Sequence, residues 1–127
     1  MSDCVTRGVR VKVESLYVGA HSSPQQSRFV FAYHVSIANE GPVPVQLVSR
    51  DWVITDGAGE VAHVRGDGVV GQQPRLLPGE SFEYTSACPL GTPVGTMQGS
   101  YSMRTDNGDS FEAVIAPFTL AYPNALN

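Results

Sequence analysis

Gly66, Gly68 and Gly71 spell G-x-G-x-x-G in the run Gly66-Asp67-Gly68-Val69-Val70-Gly71. In dinucleotide-binding proteins this spacing follows a strand and opens a helix. The helix N-terminus then offers free N–H groups and a positive dipole end to a pyrophosphate. Here Gln72-Gln73-Pro74-Arg75-Leu76-Leu77-Pro78 follows, and Pro74 and Pro78 leave room for about one helical turn. No βαβ unit is present to hold an acidic ribose partner, and Asp67 places negative charge where phosphate would approach. A backbone nest for an anion, helped by Arg65 or Arg75, is the phosphate chemistry still open to this loop. The residues favour a structural role, a glycine-rich crossover between sheets, over a pyrophosphate or nucleotide site. Arg65-Gly66-Asp67 also matches the cell-adhesion tripeptide, but a cytoplasmic chain meets no adhesion receptor.

The other reactive side chains are scattered. His21, His34 and His63 are far apart in sequence and have no Cys nearby. His63 and Asp67 are four apart, which brings ligands together on a helix but not on a strand entering a glycine loop. No transition-metal site is expected. Cys4 and Cys88 read as two free thiols, since a zinc site needs four ligands and a small secreted scaffold carries more cysteines. Cys88 precedes Pro89 and has no helix N-terminus to lower its pKa. Glu80, Glu83 and Glu112 are spaced as solvated strand-face charges, and no G-x-S-x-G is present. No catalytic residue is identified, no cofactor is expected, and the chain does not read as an enzyme.

The elements that would position these groups are strands. Phe29, Phe31, Tyr33, Val35 and Ile37 alternate with smaller or more polar residues through Arg28–Asn39, a period of two with one face on a core. Val9, Val11 and Val13 do the same in Val9–Tyr17, where the pattern slips at Ser15-Leu16-Tyr17 and suggests a bulge or an edge. Further strands are predicted over Val45–Asp56, Glu60–Arg65, Ser81–Ala87, Thr96–Arg104 and Ser110–Leu120. Gly19–Ser27 and Gly66–Gly79 are the longer loops. Asn39-Glu40-Gly41-Pro42 and Asp56-Gly57-Ala58-Gly59 mark turns, and Asn107-Gly108 predicts a type I′ hairpin. Pro117 marks an edge position or a bulge. Seven short strands without an amphipathic helix give an all-β antiparallel sandwich of immunoglobulin-like type. Trp52 is placed between the sheets. With no Cys on the second or sixth strand, the disulfide-free fibronectin type III branch is favoured. Tyr84 is read as a packing residue rather than a tyrosine corner.

Composition bounds the partners. The 127 residues suit a single domain, with an ordered core over about 9–122 and short flexible termini. Glycine (13) and proline (9) together make up about a sixth of the chain, and charged residues only 16%. The net charge is −4 and no two basic residues are adjacent, so no dense basic face exists to displace counterions from nucleic acid. No apolar run reaches the ~18 residues of a membrane span, and Met1-Ser2-Asp3-Cys4 does not begin a secretory signal. A cytoplasmic monomer is expected.

A succession of blocks then carries a likeness to a known family. Arg50-Asp51-Trp52 and Ile54-Thr55-Asp56-Gly57 lead to VRGDGVVGQQP over Val64–Pro74. Leu77-Pro78-Gly79-Glu80-Ser81-Phe82-Glu83-Tyr84, Leu90–Met97 and Gly99-Ser100-Tyr101-Ser102-Met103 follow. Together they resemble the bacterial ApaG family from Val9 to Pro123. The resemblance implies a fibronectin type III-like sandwich of a three-stranded and a four-stranded sheet, and it implies no catalytic residues. It implies work through protein contacts, as in eukaryotic proteins with ApaG-like domains, and a link to cobalt resistance and magnesium efflux. The leading expectation is a protein-binding module, docking through a sheet face, loops, or an edge at Val9–Tyr17 or Ser110–Leu120. The alternative is a sensor of pyrophosphate, a dinucleotide or a divalent cation at Gly66–Gly71.

Overall fold

The computed structural model describes residues 1–123. The flexible C-terminus expected beyond residue 122 falls, from residue 124 on, outside the described residues. The strands are β1 (Ser2–Thr6), β2 (Val9–Tyr17), β3 (Phe29–Asn39), β4 (Val45–Asp56), β5 (Val61–Asp67), β6 (Arg75–Leu76), β7 (Ser81–Leu90), β8 (Val94–Thr105) and β9 (Ser110–Ala121). They form two antiparallel sheets, one ordered β1-β2-β3-β7 and one ordered β5-β4-β8-β9 with β6 also on β4. This is the fibronectin type III-like sandwich, with nine strands in sheets of four and five rather than seven in three and four.

The two extra strands have local causes. Ser2–Thr6 lies before the expected core, yet it pairs with β2 from Ser2↔Val13 to Thr6↔Val9. The turn between them is Arg7-Gly8, with positive φ at both residues (48° and 84°), as a two-residue type I′ hairpin requires. β6 is two residues long and flanked by prolines, too short to show a period. The Asn107-Gly108 expectation is corrected: only Gly108 has positive φ, and its N–H bonds the Thr105 carbonyl at 3.0 Å. That is a three-residue loop closing on a glycine bulge, which draws Thr105 N–H to the Asp109 carbonyl at 2.9 Å.

Of the bulge or edge expected at Ser15–Tyr17, the bulge is absent, since β2 pairs with β3 residue for residue from Val9↔Asn39 to Tyr17↔Phe31. The edge is present, since β1 pairs with β2 only as far as Val13 and leaves Glu14–Tyr17 without a neighbour on that side among the described residues. Ser15 simply stands where the preceding inward positions hold valine, and Leu16 faces outward. β2 is therefore interior along Val9–Val13, not an edge there. At Pro117 the ladder shifts between Met97↔Phe118 and Gly99↔Ile115, so Ala116 and Pro117 bulge opposite Gln98 on the edge strand β9.

One hydrophobic cluster fills the space between the sheets. Trp52 sits inside it at 2% exposure, ringed edge-on by Tyr33 (5.3 Å), Phe118 (6.0 Å) and Tyr101 (6.2 Å). Tyr84 of β7 and Tyr101 of β8 join hydroxyls across the sheets, so Tyr84 packs as expected but also carries an inter-sheet hydrogen bond. On the far side β9 lies against β1 and β2. Thr6 Oγ1 accepts from Val114 N–H (3.1 Å), and Ser15 Oγ donates to the Thr119 carbonyl (3.1 Å). The β9 edge expected to accept a partner strand is thus engaged at two points, Val114 and Thr119, by the protein's own side chains. No helix among the described residues is long and apolar enough to cross a membrane.

Candidate functional site

The G-x-G-x-x-G segment is not one loop. Gly66 belongs to β5, paired with Arg50, and Val69–Gln72 forms a tight hairpin. Val69 N–H donates to the Gln72 carbonyl (2.8 Å) and Gln72 N–H to the Val69 carbonyl (2.9 Å). Val70 and Gly71 between them take φ of 44° and 79°. Gly68 N–H donates to the Val48 carbonyl (2.8 Å), which is exposed by a bulge in β4 between Leu47 and Ser49 and also accepts from Gln73 Nε2 (2.8 Å). Three N–H groups that a pyrophosphate would need are therefore spent within the chain, and a strand, not a helix, follows.

The helper arginines expected here are engaged elsewhere. Arg65 Nε donates to Asp51 Oδ2 at 3.1 Å. Arg75 is ion-paired with Asp106 on the β8–β9 hairpin and holds that carboxyl below its usual range. The cation that does organise the segment is Arg50, which the sequence reading passed over. Its Nη1 donates to the Asp67 carbonyl (3.0 Å) and the Gly68 carbonyl (2.8 Å). A Cβ on Gly66 would come within 2.8 to 3.0 Å of the Arg50 guanidinium atoms, so the group lies over bare backbone. The signal available in sequence was the pairing of an inward-facing Arg, two residues before Trp52, with a glycine across the hairpin.

Arg50 shares the inward face of β4 with Trp52 and reaches the mouth of the sandwich between β4–β5 and β7. A cleft of about 270 Å³ opens there, walled by Arg50, Trp52 and Val64 on one side and Ser86, Cys88 and Pro89 on the other. It exists because the sheets are offset. Every residue of β5 is exposed except the partly buried Gly66, since among the described residues no strand of the opposite sheet lies over it. Val64 pairs with Trp52 and so faces inward, yet it remains 41% exposed. Burial pushes the Cys88 thiol up to about 11 and raises Tyr33, Tyr84 and Tyr101 above the ordinary phenol range. These groups are neutral at pH 7. Among the described residues Arg50 makes no ion pair. The Trp52 indole N–H is buried without an acceptor among the described residues.

A shallower hollow of about 640 Å³ lies on the outer face of the five-stranded sheet. Its polar groups bond largely to one another: Asp51 to Arg65, and Glu112 to Ser100 (3.0 Å) and Ser102 (2.7 Å). The histidines do not converge. His34 is on the outer face of the other sheet, bonded to Thr85 Oγ1 (2.9 Å) and Glu83 Oε1 (3.1 Å), while His63 is on β5 and His21 is in a 3₁₀ turn. Glu80 accepts from Leu77 N–H (2.7 Å) and closes the turn into β7. Among the described residues no three His, Cys, Asp or Glu side chains group as a metal site would require.

Comparison with known proteins gives a consistent result. A family model described as the ApaG domain matches residues 19–105. The chain is 56% identical to Protein ApaG of Anaeromyxobacter dehalogenans over 127 residues, covering 100% of both chains. It is 56% identical to Protein ApaG of a Methylobacterium species over 119 residues, 94% of this chain and 92% of that one. A crystal structure from Bordetella pertussis superposes with a TM-score of 0.90 at 55% identity, covering 92% of this chain and 95% of that one.

Proposed function

From the premise that the chain belongs to the ApaG family, we propose that it is a non-enzymatic docking module that binds another protein at the cleft between β5 and β7. The observation that carries this reading is the uncovered inner face of β5 beside the unpaired edge of β7. Apolar surface left open next to free backbone donors and acceptors is what an added strand buries. Of the edges expected for this role, β2 is interior along Val9–Val13 and open only over Glu14–Tyr17, and β9 is engaged at Val114 and Thr119, so the docking edge moves to the other side of the sandwich. The encounter is placed in the cytoplasm, with the module acting as a monomer. The family's link to cobalt resistance and magnesium efflux would then be exerted through the bound protein.

The sensor alternative requires a ligand to find donors at Gly66–Gly71. The internal use of the Gly68, Val69 and Gln72 N–H groups weighs against it. The two readings separate in an affinity capture with the wild-type chain, Val64→Glu in the cleft and Leu16→Glu on the opposite sheet. A protein recovered with the wild type and Leu16→Glu but lost with Val64→Glu supports cleft docking. Equal recovery with all three contradicts it.

A further inference from the structure

The four-stranded sheet ends at β7, while the five-stranded sheet runs one strand further, to β5. A peptide added beside β7 would therefore occupy a missing strand position and cover Ala62 and Val64. Its direction follows from the walls. Arg50 stands near Ser86, and past Ile54 and Pro89 the cleft continues as a second hollow of about 260 Å³ that reaches Asp56, Glu60 and Gly91. Arg50 and Asp56 are six residues apart on β4, roughly 20 Å of extended chain at ~3.3 Å per residue. One end of the groove is cationic and the other acidic.

The cationic end fits a carboxylate. Arg50 spends Nη1 on the Asp67 and Gly68 carbonyls, and its Nε and Nη2 have no hydrogen-bond partner among the described residues. Those two nitrogens present the planar fork that takes a carboxylate side-on. The inner cavity, at about 270 Å³, is smaller than the roughly 300–1,000 Å³ of pockets that enclose whole small molecules, so it suits one large side chain. Its floor of Trp52, Ile54 and Met97 asks for an apolar one.

Resting on the docking reading above, we propose that the occupant is the free C-terminus of a partner chain. It lies antiparallel to β7, with its last apolar side chain against Trp52 and Val64 and its terminal carboxylate on Arg50. Pro89, with no N–H to give, limits the ladder to the β7 residues before it. Upstream residues cross Pro89 and Gly91 toward Asp56 and Glu60, where a Lys or Arg about five positions from the end is favoured.

The test is a soluble library of randomised octapeptides with free carboxylates, passed over the full chain, with selected peptides then remade as C-terminal amides. The expected result is enrichment of an apolar last residue and a basic residue upstream. Amidation should weaken binding about tenfold or more, the scale of a lost charged hydrogen bond. Arg50→Gln should bind acid and amide forms equally. Equal binding of acid and amide by the wild-type chain, enrichment indifferent to the last residue, or no enrichment at all would each overturn the proposal. Because the amide comparison leaves the protein unaltered, it stands even if Arg50→Gln disturbs the fold. Capture that depends on Val64 but survives removal of the partner's last residues sinks the carboxylate inference and leaves the docking reading intact.

Discussion

A guanidinium lying flat on a strand needs a residue without a side chain beneath it, and Gly66 is that residue under Arg50. Gly66→Ala should push Arg50 off the Asp67 and Gly68 carbonyls and cost about 1–3 kcal/mol, the range for forcing a methyl group into packed structure. Urea denaturation measures it, and an unchanged midpoint would remove this explanation of the first glycine. Cys88 offers a second test at this scale. Burial raises its thiol to about 11, so folding favours the protonated form. That stabilisation is complete below the unfolded thiol value of ~8.5 and is lost as pH rises through about 11. Tyr84 and Tyr101, raised for the same reason, have the same sign. The urea midpoint should hold steady up to about pH 8.5 and fall above it, less steeply in Cys88→Ala. In the folded protein at pH 8 a thiol reagent should leave the buried Cys88 unmodified until denaturant is added.

In the core between the sheets, the Tyr84–Tyr101 hydroxyl pair joins β7 of one sheet to β8 of the other. Tyr84→Phe or Tyr101→Phe alone leaves a buried hydroxyl unpaired and should cost about 1–3 kcal/mol. The double variant should cost less than the sum, and a thermodynamic cycle of the four proteins by urea denaturation reads the coupling. Strict additivity would mean the hydroxyls do not interact. Strand periods made β2, β3, β7 and β8 legible, because each turns one face to the core and hydrophobic residues recur there at every second position. Pro117 was legible as a bulge on an edge because proline cannot serve a central ladder. β1 was not, because its register rests on Arg7 and Gly8 at positive φ, a geometry an arginine does not advertise. For the same reason Val70-Gly71 read as part of a phosphate motif instead of a hairpin, while Asn107-Gly108 read as type I′ although the bulge at Gly108 places only one residue at positive φ. The role of Arg50 depends on its partner across β4–β5, and pairing between strands is not visible along one of them.

At the scale of the whole molecule, the offset of the two sheets decides where function can reside. One side is closed, with Thr6 and Ser15 bonded to β9. The other is open, with β5 uncovered on both faces. Strands held by few buried contacts open at low cost, so amides of Val61–Asp67 should exchange with solvent faster than those of β3 and β8 in native-state hydrogen exchange. Equal protection would mean that β5 is held by contacts outside those described. The family likeness in the sequence pointed to a sandwich and to protein contacts, but which side is open follows from the stacking of the sheets. Site-specific photo-crosslinking in living cells tests that claim most directly, with a benzophenone amino acid at position 64 in the cleft or at position 16 on the outer face of β2, away from the cleft. The account predicts a discrete crosslinked protein from position 64 and none from position 16. Crosslinking from position 16 with none from position 64 would contradict it.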